Sequence, residues 1–309
     1  MADVKQVAEA LIGNIEQVVY GKRTVIKHTV VALLGNGHVL LEDVPGVGKT
    51  MLARALARSL GGVAKRIQFT PDLLPADVTG VTLYEQQTGL FRFRPGPVFS
   101  NVLLADEINR ASPKTQSALL ECMEEETVSV DGEAYAIARP FIVLATQNPV
   151  EFEGVYPLPE SQLDRFMLRL HLGYPAREHE RTLLQRDPTA DPLEALHTVV
   201  DSATVVECQH ALRAVHCEDR LYDYVLDLVE ETRRDPRVRL GASPRAALAL
   251  TTAARALALI EGRDWVRPDD VQEMAPPVLA HRLMLEAGTR GGGGADAIVR
   301  ELLAKVPVP

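Results

Sequence analysis

An apolar strand, a glycine-rich turn and an amphipathic helix follow one another directly in HVLLEDVPGVGKTMLARALARSL, residues 38–60. HVLLE is a short apolar run of the kind buried on both faces of a parallel sheet. Lys49-Thr50 opens the helix. A tight turn between a strand and a helix directs free backbone N–H groups and the positive end of the helix dipole toward one point. The stretch therefore predicts an α/β domain with a phosphate-binding loop.

The turn follows the P-loop pattern G-x-x-x-x-G-K-[ST] except at its first position, where Asp43 stands in place of glycine. Gly46 and Gly48 allow the backbone to curl closely, Lys49 is placed to reach β- and γ-phosphates, and Thr50 to ligate Mg²⁺. Asp43 comes at the strand exit, farthest from the phosphates, where aspartate tolerates left-handed backbone angles. The motif by itself leaves an ordinary Gly-Pro turn open as the alternative.

Two further apolar strands end in polar groups. NVLLAD, residues 101–106, closes with Asp106 and is followed by Glu107. The strand end places Asp106 where it can hold Mg²⁺ through water and Glu107 where it can polarise a water for attack on a γ-phosphate. FIVLATQNP, residues 141–149, leads to Asn148, whose amide can hydrogen-bond that water. Acidic residues that merely close a strand, and a turn asparagine before proline, are the alternatives.

The predicted secondary structure changes after the first half of the chain. Strand and helix patterns alternate up to about residue 174, RDPTADP is turn-rich, and the remainder is almost entirely helical in pattern. We therefore expect an α/β core over 1–185, a linker over 186–192 and a smaller helical domain over 193–309. The clearest helix of the second part is 243–262, which has Ser243 as N-cap, proline next and glycine at its end.

Composition and charge narrow the class of protein. The 309 residues carry a formal net charge of −9 without a dense basic run, so DNA or RNA is not the expected partner. The N-terminal stretch lacks the basic and apolar regions of a signal peptide, and no apolar run reaches membrane-spanning length. Three cysteines are too few for a disulfide framework and suit a reducing compartment. We expect a cytoplasmic protein.

With these motifs in this order, the chain resembles the AAA+ ATPases and, among them, the MoxR family. The resemblance extends from VVYGK to HRLMLE. The segments that carry it are LEDVPGVGKT, FRFRPGPVF, LLADEINRASPKTQSALLECMEE, LATQNP, LPESQLDRF and GASPRA. It implies a P-loop AAA+ core, with a parallel sheet flanked by helices, and a smaller C-terminal all-helical lid. Family members often have glycine where this chain has Asp43.

The resemblance also implies which residues contact ATP and Mg²⁺. It makes Lys49 and Thr50 the Walker A residues, Asp106 and Glu107 the Walker B residues, and Asn148 sensor 1. Thr50 and Asp106 would hold the magnesium ion. The implied nucleotide contacts are Val19, Gly21, Pro45, Gly46, Val47, Gly48, Lys49, Thr50, Met51 and Asp106. Seen without the resemblance, the first two of these are only an apolar residue and a glycine near a helix end.

Two arginines are implied to act with Glu107, Lys49 and Asn148 in catalysis. Arg165 in LPESQLDRF matches the arginine finger, whose guanidinium stabilises charge on a neighbouring subunit's γ-phosphate. A surface pair with Asp164 or Glu160 is the alternative. Arg245 matches sensor 2, which closes the lid over the nucleotide. It lies in the first turn of a helix, where the dipole disfavours a cation and a bound phosphate would satisfy both. A solvated arginine is the alternative.

Two predicted hairpins indicate the subgroup. Residues 80–95 read as two strands around Gly89, and residues 127–137 as two strands around Asp131-Gly132. They match hairpins that project toward the ring pore in MoxR-like, magnesium-chelatase-like and MCM-like ATPases, although passive surface hairpins have the same pattern. The preceding run 124–126, three glutamates, is expected to be a solvated helix end.

The function implied by the resemblance is hydrolysis of Mg·ATP at the subunit interfaces of a homo-oligomer, a hexameric ring. The energy would drive chaperone-like remodelling or maturation of a client protein. A partner with a von Willebrand factor A (VWA) domain and metal-cofactor insertion are further implications. The alternatives are the ATPase subunit of a magnesium chelatase, an MCM-like DNA motor and a nucleotide-dependent switch that does not hydrolyse.

Overall fold

Strands and helices alternate in the first half of the chain, and helices dominate the second. The computed structural model describes residues 3–43, 46–147, 156–185, 191–286 and 294–309. The strands are β1 (Val39–Glu42), β2 (Ala64–Gln68), β3 (Gly80–Glu85), β4 (Leu90–Pro95), β5 (Val102–Asp106), β6 (Thr127–Val130), β7 (Glu133–Ala136), β8 (Ile142–Gln147), β9 (Leu168–Leu170), β10 (Val238–Leu240) and β11 (Met284–Leu285). The helices are α1 (Val4–Glu16), α2 (Arg23–Leu34), α3 (Lys49–Ser59), α4 (Pro75–Thr79), α5 (Pro113–Glu125), α6 (Glu160–Leu163), α7 (Arg177–Leu184), α8 (Ser202–Ala211), α9 (Asp219–Arg234), α10 (Pro244–Ile260), α11 (Pro268–Leu279) and α12 (Gly294–Lys305).

A parallel sheet positions the site. Its strands lie in the order β2-β5-β8-β1-β9, and every neighbouring pair is parallel. The predicted strands of HVLLE, NVLLAD and FIVLAT are β1, β5 and β8, the three inner strands. Because they are parallel, their carboxyl ends meet at one edge, where Glu42, Asp106 and Gln147 lie.

The alternation of side chains along these strands explains why they are apolar throughout. Leu40 and Leu103 point into a cluster with α5 and the bases of the hairpins. Leu41 and Leu104 point into a second cluster, which α1, α2, α3 and the helices after residue 200 also line. A strand with helices on both faces has no solvent-facing row, so period-2 polarity is absent. The predicted fold class, an α/β core with a helical lid, is confirmed.

Both predicted hairpins are present. Strands β3 and β4 pair antiparallel, as do β6 and β7, with Gly89, Asp131 and Gly132 at positive φ in the turns. The rings of Phe93 on β4 and Tyr135 on β7 stack, with centroids 4.1 Å apart. The two hairpins therefore contact each other as well as the core.

The lid contains α8 to α12 and one element that the sequence did not indicate. Strands β10 and β11 form a short antiparallel pair, so the lid is not wholly helical. Their sequences are only three and two residues long, too short for a periodic signal. The helix predicted at 243–262 is α10, and the hydroxyl of its N-cap Ser243 accepts the Ala246 N–H.

Residues 191–200 lie along the core before the first lid helix. Backbone N–H groups of Val199 and Val200 bond the Ser59 carbonyl, and the Asn14 amide donates to the His197 carbonyl. Most of the predicted linker, 186–190, lies outside the described residues. The domain limits at 185 and 193 therefore stay predictions.

Candidate nucleotide-binding site

The loop between β1 and α3 has the shape of an anion cradle. Gly46 and Gly48 have φ values of +86° and +101°, and a Cβ on either would meet no atom within 4 Å. Gly48 is the N-cap of α3, and because it has no side chain it makes no cap hydrogen bond to the first turn of that helix. Open space therefore faces the helix N–H groups, as a bound phosphate requires. Val44 and Pro45 lie outside the described residues.

The carboxylates of Asp106 and Glu107, at the end of β5, lie opposite the P-loop. Asp106 is buried, and its side chain accepts from Arg66 Nε at 2.6 Å and from the Thr146 hydroxyl at 3.2 Å. Glu107 has a φ of +56°, a strained value for a residue other than glycine. Its N–H donates to Thr146 Oγ1 at 2.9 Å, and Gln68 donates to its carboxylate at 2.7 Å. These bonds hold the left-handed turn that brings the Glu107 carboxylate to the cleft.

The two walls enclose a cleft of about 200 Å³. Its lining residues are Gly46, Gly48, Lys49, Thr50, Arg66, Gln68, Asp106, Glu107 and Thr146. Lys49 Nζ donates to the Asp43 carbonyl at 2.9 Å. The residues fit Mg²⁺, because a threonine hydroxyl and a carboxylate, both on this cleft, are the oxygen ligands it prefers. Cations and helix N–H groups on one side and acidic residues on the other suit a phosphate with its metal.

The residue predicted to be sensor 1 comes after β8 in the chain. Strand β8 lies between β5 and β1 and ends at Gln147. Asn148 itself lies outside the described residues, and its role stays a prediction.

The predicted base contacts lie before α2. Val19 is buried in the core, so its side chain packs inward. Gly21 has a φ of +65°, and a Cβ there would lie 2.3 Å from the His179 ring. His179 comes from α7 and stacks loosely on Tyr20, with centroids 6.3 Å apart. Contact with α7, which sequence reasoning did not include, explains the glycine. Val47 is buried and Met51 partly buried beside the P-loop.

Asp43 has a different role from the one expected. It is not among the described non-glycine residues with positive φ, so left-handed geometry does not explain it. Its carboxylate is 8% exposed and accepts the backbone N–H groups of Leu172 and Gly173, the latter at 3.0 Å. The aspartate is thus a tertiary acceptor for the segment that follows β9.

Arg165 and Arg245 come together on one carboxylate. Arg165 Nε lies 3.3 Å from one oxygen of Glu124, and Arg245 Nη2 lies 3.2 Å from the other. The alternative partners considered for Arg165, Asp164 and Glu160, are therefore wrong. The expected solvated helix end is confirmed at Glu124 and Glu125, which are exposed where α5 ends, whereas Glu126 is half-buried and accepts from Arg139 Nε at 2.5 Å.

A buried ion pair fixes the lid beside these arginines. Arg282, whose side chain is 3% exposed, donates through Nε to Asp164 at 2.6 Å and to backbone carbonyls nearby. The Asp164 carboxylate also accepts from the hydroxyl of Ser243, the N-cap of α10. Arg165 directly follows Asp164, and Arg245 comes two residues after the N-cap Ser243. The contact between Asp164 and Ser243 therefore lies next to both arginines in the chain. The only sequence signal for this ion pair was the charged Arg282 within an otherwise apolar stretch.

Comparison with known proteins supports this assignment of the fold. Residues 38–168 match the ATPase family associated with various cellular activities, and residues 230–302 match an AAA lid domain. The Mycobacterium tuberculosis protein Chaperone MoxR1 is 44% identical over 286 residues, 90% of this chain and 75% of that one. The chain belongs to the MoxR family of AAA+ ATPases. As a member of this family it is an ATP hydrolase.

Other relatives agree with membership of the MoxR family. YeaC of Bacillus subtilis, an uncharacterized protein, is 52% identical over 96% of this chain and 93% of its own length. A crystal structure of a candidate ATPase from Cytophaga hutchinsonii has a TM-score of 0.92 and 38% identity, and covers 99% of this chain and 96% of that one. Magnesium-chelatase subunit ChlI of Nicotiana tabacum is more distant, at 28% identity over 72% of this chain and 51% of that protein. Among the described residues, no helix has both the length and the apolar character to cross a bilayer.

Proposed function

We propose that this MoxR-family ATPase binds Mg·ATP between adjacent subunits of a hexameric ring and uses hydrolysis to remodel or mature a client protein. The observation that carries the ring is the shared position of Arg165 and Arg245 on Glu124. Neither arginine lines the cleft at the P-loop.

Sheet topology supports the proposal that these arginines act on a neighbouring subunit's nucleotide and not at their own P-loop. Arg165 comes three residues before β9, and β9 runs parallel to β1. Arg165 therefore lies near the amino edge of the sheet, whereas the P-loop follows β1 at the carboxyl edge. Two cations held together at the edge opposite the nucleotide suit the γ-phosphate of a neighbouring subunit. Arg245 accordingly acts with the finger and does not close the lid over its own nucleotide.

Within one subunit, the cleft supplies the remaining chemistry. The Lys49 ammonium stabilises charge on the β- and γ-phosphate oxygens, and Glu107 takes the proton of the attacking water. Asn148 orients that water. Thr50 and Asp106 would hold Mg²⁺, which would neutralise phosphate charge when bound. Arg165 and Arg245 of the next subunit then stabilise the charge that develops in the transition state.

The hairpins are the proposed contact with the client. Strands β3 and β4 expose apolar side chains, including Phe91 at 74%, and the Phe93–Tyr135 stack joins this hairpin to the second one. The name of the relative Chaperone MoxR1 favours a chaperone role. We further propose a cytoplasmic location and a VWA-domain partner, with metal-cofactor insertion as one form of client maturation.

Steady-state ATP hydrolysis measured against protein concentration tests the shared site. We expect specific activity to rise with concentration, and Glu107→Gln and Arg165→Ala each to lose at least about 100-fold. Mixing these two inactive variants should restore part of the turnover, because a mixed interface can pair an intact P-loop with an intact finger. Arg234→Ala, which breaks only exposed pairs with Glu230 and Glu231, is the matched control and should keep full activity.

Three results would oppose the proposal. Full activity in Arg165→Ala would exclude the finger, and no recovery on mixing would exclude a site shared between subunits. Binding of ATP without turnover in the unchanged protein would favour the switch. The magnesium-chelatase function is the less favoured, because ChlI is the more distant relative. Stimulation of hydrolysis by DNA would instead favour a DNA motor, against the net charge of −9.

A further inference from the structure

The carboxylate of Asp43 continues a strand ladder beyond its last backbone rung. The parallel pairing of β1 with β9 ends at Leu41 and Leu170. Past that rung the Glu42 carbonyl lies 2.6 Å from Nδ1 of the His171 ring, a side-chain contact and not a backbone rung. The N–H groups of Leu172, which is 3% exposed, and of Gly173 then donate to the Asp43 side chain. A glycine here, as in the usual P-loop pattern, would leave both without this acceptor.

The segment held by Asp43 is bonded in turn to Lys22, the residue after the predicted base contact Gly21. Lys22 Nζ donates to the Tyr174 carbonyl at 2.8 Å, one residue beyond Gly173. Lys22 directly follows Gly21, which packs on His179 of α7. Residues 172–174 therefore connect the first residue of the P-loop with the segment that precedes α2.

The backbone of Asp43 is bonded on the phosphate side. Its carbonyl accepts from Lys49 Nζ at 2.9 Å. One residue thus bonds the phosphate-binding lysine through its main chain and the 172–174 segment through its side chain. Asp43 therefore connects the lysine and this segment through direct hydrogen bonds.

We propose that Asp43 is a positioning residue that couples the phosphate loop to the base-binding segment. The inference rests on the proposed nucleotide site, in which Val19 and Gly21 contact the adenine base. Asp43 is not among the residues that line the cleft. It sets the distance between the phosphate-binding and base-binding segments, so its loss weakens binding of a whole nucleotide more than binding of a phosphate chain alone.

Calorimetric titration of the full-length chain with Mg·ADP and with Mg·pyrophosphate separates these effects. Asp43→Asn keeps the side-chain volume but turns an amide N–H₂ group toward a backbone donor. We expect it to weaken ADP binding about tenfold, or about 1.4 kcal/mol, and pyrophosphate binding less than about twofold. Lys22→Met removes the other bond of the connection without altering the P-loop and should give the same pattern. The double variant should bind ADP no more weakly than about the weaker single variant.

The control for the site itself is Lys49→Ala, which should weaken both ligands. If it weakens neither, the proposed nucleotide site is wrong. If Lys49→Ala behaves as expected and Asp43→Asn weakens both ligands equally, or neither, Asp43 is only a structural part of the loop and the coupling is refuted. Should Asp43→Asn fail to fold, Lys22→Met decides: an unchanged ratio of ADP to pyrophosphate affinity refutes the coupling.

Discussion

Removal of the Asp164 carboxylate is the most informative perturbation of the core–lid contact. Arg282 is almost fully buried, and Asp164 is its only acidic partner among the described residues. Its Nη groups also donate to carbonyls of Asp164, Phe166, Met167 and Val278. Burial lowers the pKa of Arg282, while the bond to Asp164 raises it, so the carboxylate favours the charged guanidinium.

The magnitude follows from the cost of an unpaired buried charge. Breaking a buried pair by truncating one partner costs about 3–5 kcal/mol. Because the carbonyl acceptors remain, we expect Asp164→Ala to lower the free energy of unfolding of the lid by about 3 kcal/mol, the lower end of that range. Asp164→Asn, which can still bond both Arg282 and Ser243, should cost about 1–2 kcal/mol.

Urea denaturation followed by tryptophan fluorescence measures the effect in the lid. Trp265, the single tryptophan, comes between α10 and α11. With a slope of about 1–3 kcal/mol per molar urea, the expected loss moves the midpoint by about 1–3 M. Glu230→Ala, which breaks the exposed pair with Arg234, should change the stability by less than about 0.5 kcal/mol.

A double-mutant cycle with Arg282→Met decides the interpretation. If the pair is coupled as described, Asp164→Ala in the Arg282→Met background should cost about 2 kcal/mol less than in the unchanged protein. A coupling near zero, or a loss for Asp164→Ala no larger than that of Glu230→Ala, would refute the reasoning. Asp164→Asn that remains folded should also lose ATPase activity, because Arg165 and Arg245 are then held less firmly.

Three further predictions concern single side chains. Burial lowers the pKa of His38 to about 4 from 6.5. The unfolded chain therefore takes up a proton first, and the free energy of unfolding falls by up to about 3 kcal/mol as the pH drops from about 6.5 to 4. In urea titrations at different pH values, His38→Asn should reduce this dependence. Gly21→Ala should destabilise by about 1–2 kcal/mol from its positive φ and more from the clash with His179, and His179→Ala should restore only the second part. Burial raises the pKa of Cys122 to about 12 and of Cys208 to about 11, so iodoacetamide at pH 8 should label them only in urea; rapid labelling of the folded protein would contradict this.

The motifs of the site were predictable because their signals are local. The apolar runs of β1, β5 and β8, the glycines of the P-loop and the cap of α10 are set by residues within a few positions of each other. Burial on both faces makes these strands uniformly apolar, and a helix N-terminus selects its cap by direct hydrogen bonding. The same local logic predicted both hairpin turns.

The partners of these motifs were not predictable, because each joins residues far apart in sequence. Arg282 and Asp164 are 118 positions apart, and neither local propensity nor hydrophobic period carries information on such a pair. The contact of both Arg165 and Arg245 with Glu124 could not be predicted from the sequence for the same reason. The left-handed turn at Glu107 was hidden too, because the Thr146 hydroxyl that bonds its N–H comes from another strand.

Local sequence patterns were enough to specify a strand–loop–helix phosphate site in an α/β core with a helical lid. Covalent neighbours and the period of apolar residues specify such elements directly. Long-range packing, by contrast, made Asp43 an acceptor for the segment after β9 and brought Arg165 and Arg245 together on Glu124. Both depend on strand order and on buried polar groups finding acceptors, which are fixed only when the whole sheet and lid have packed.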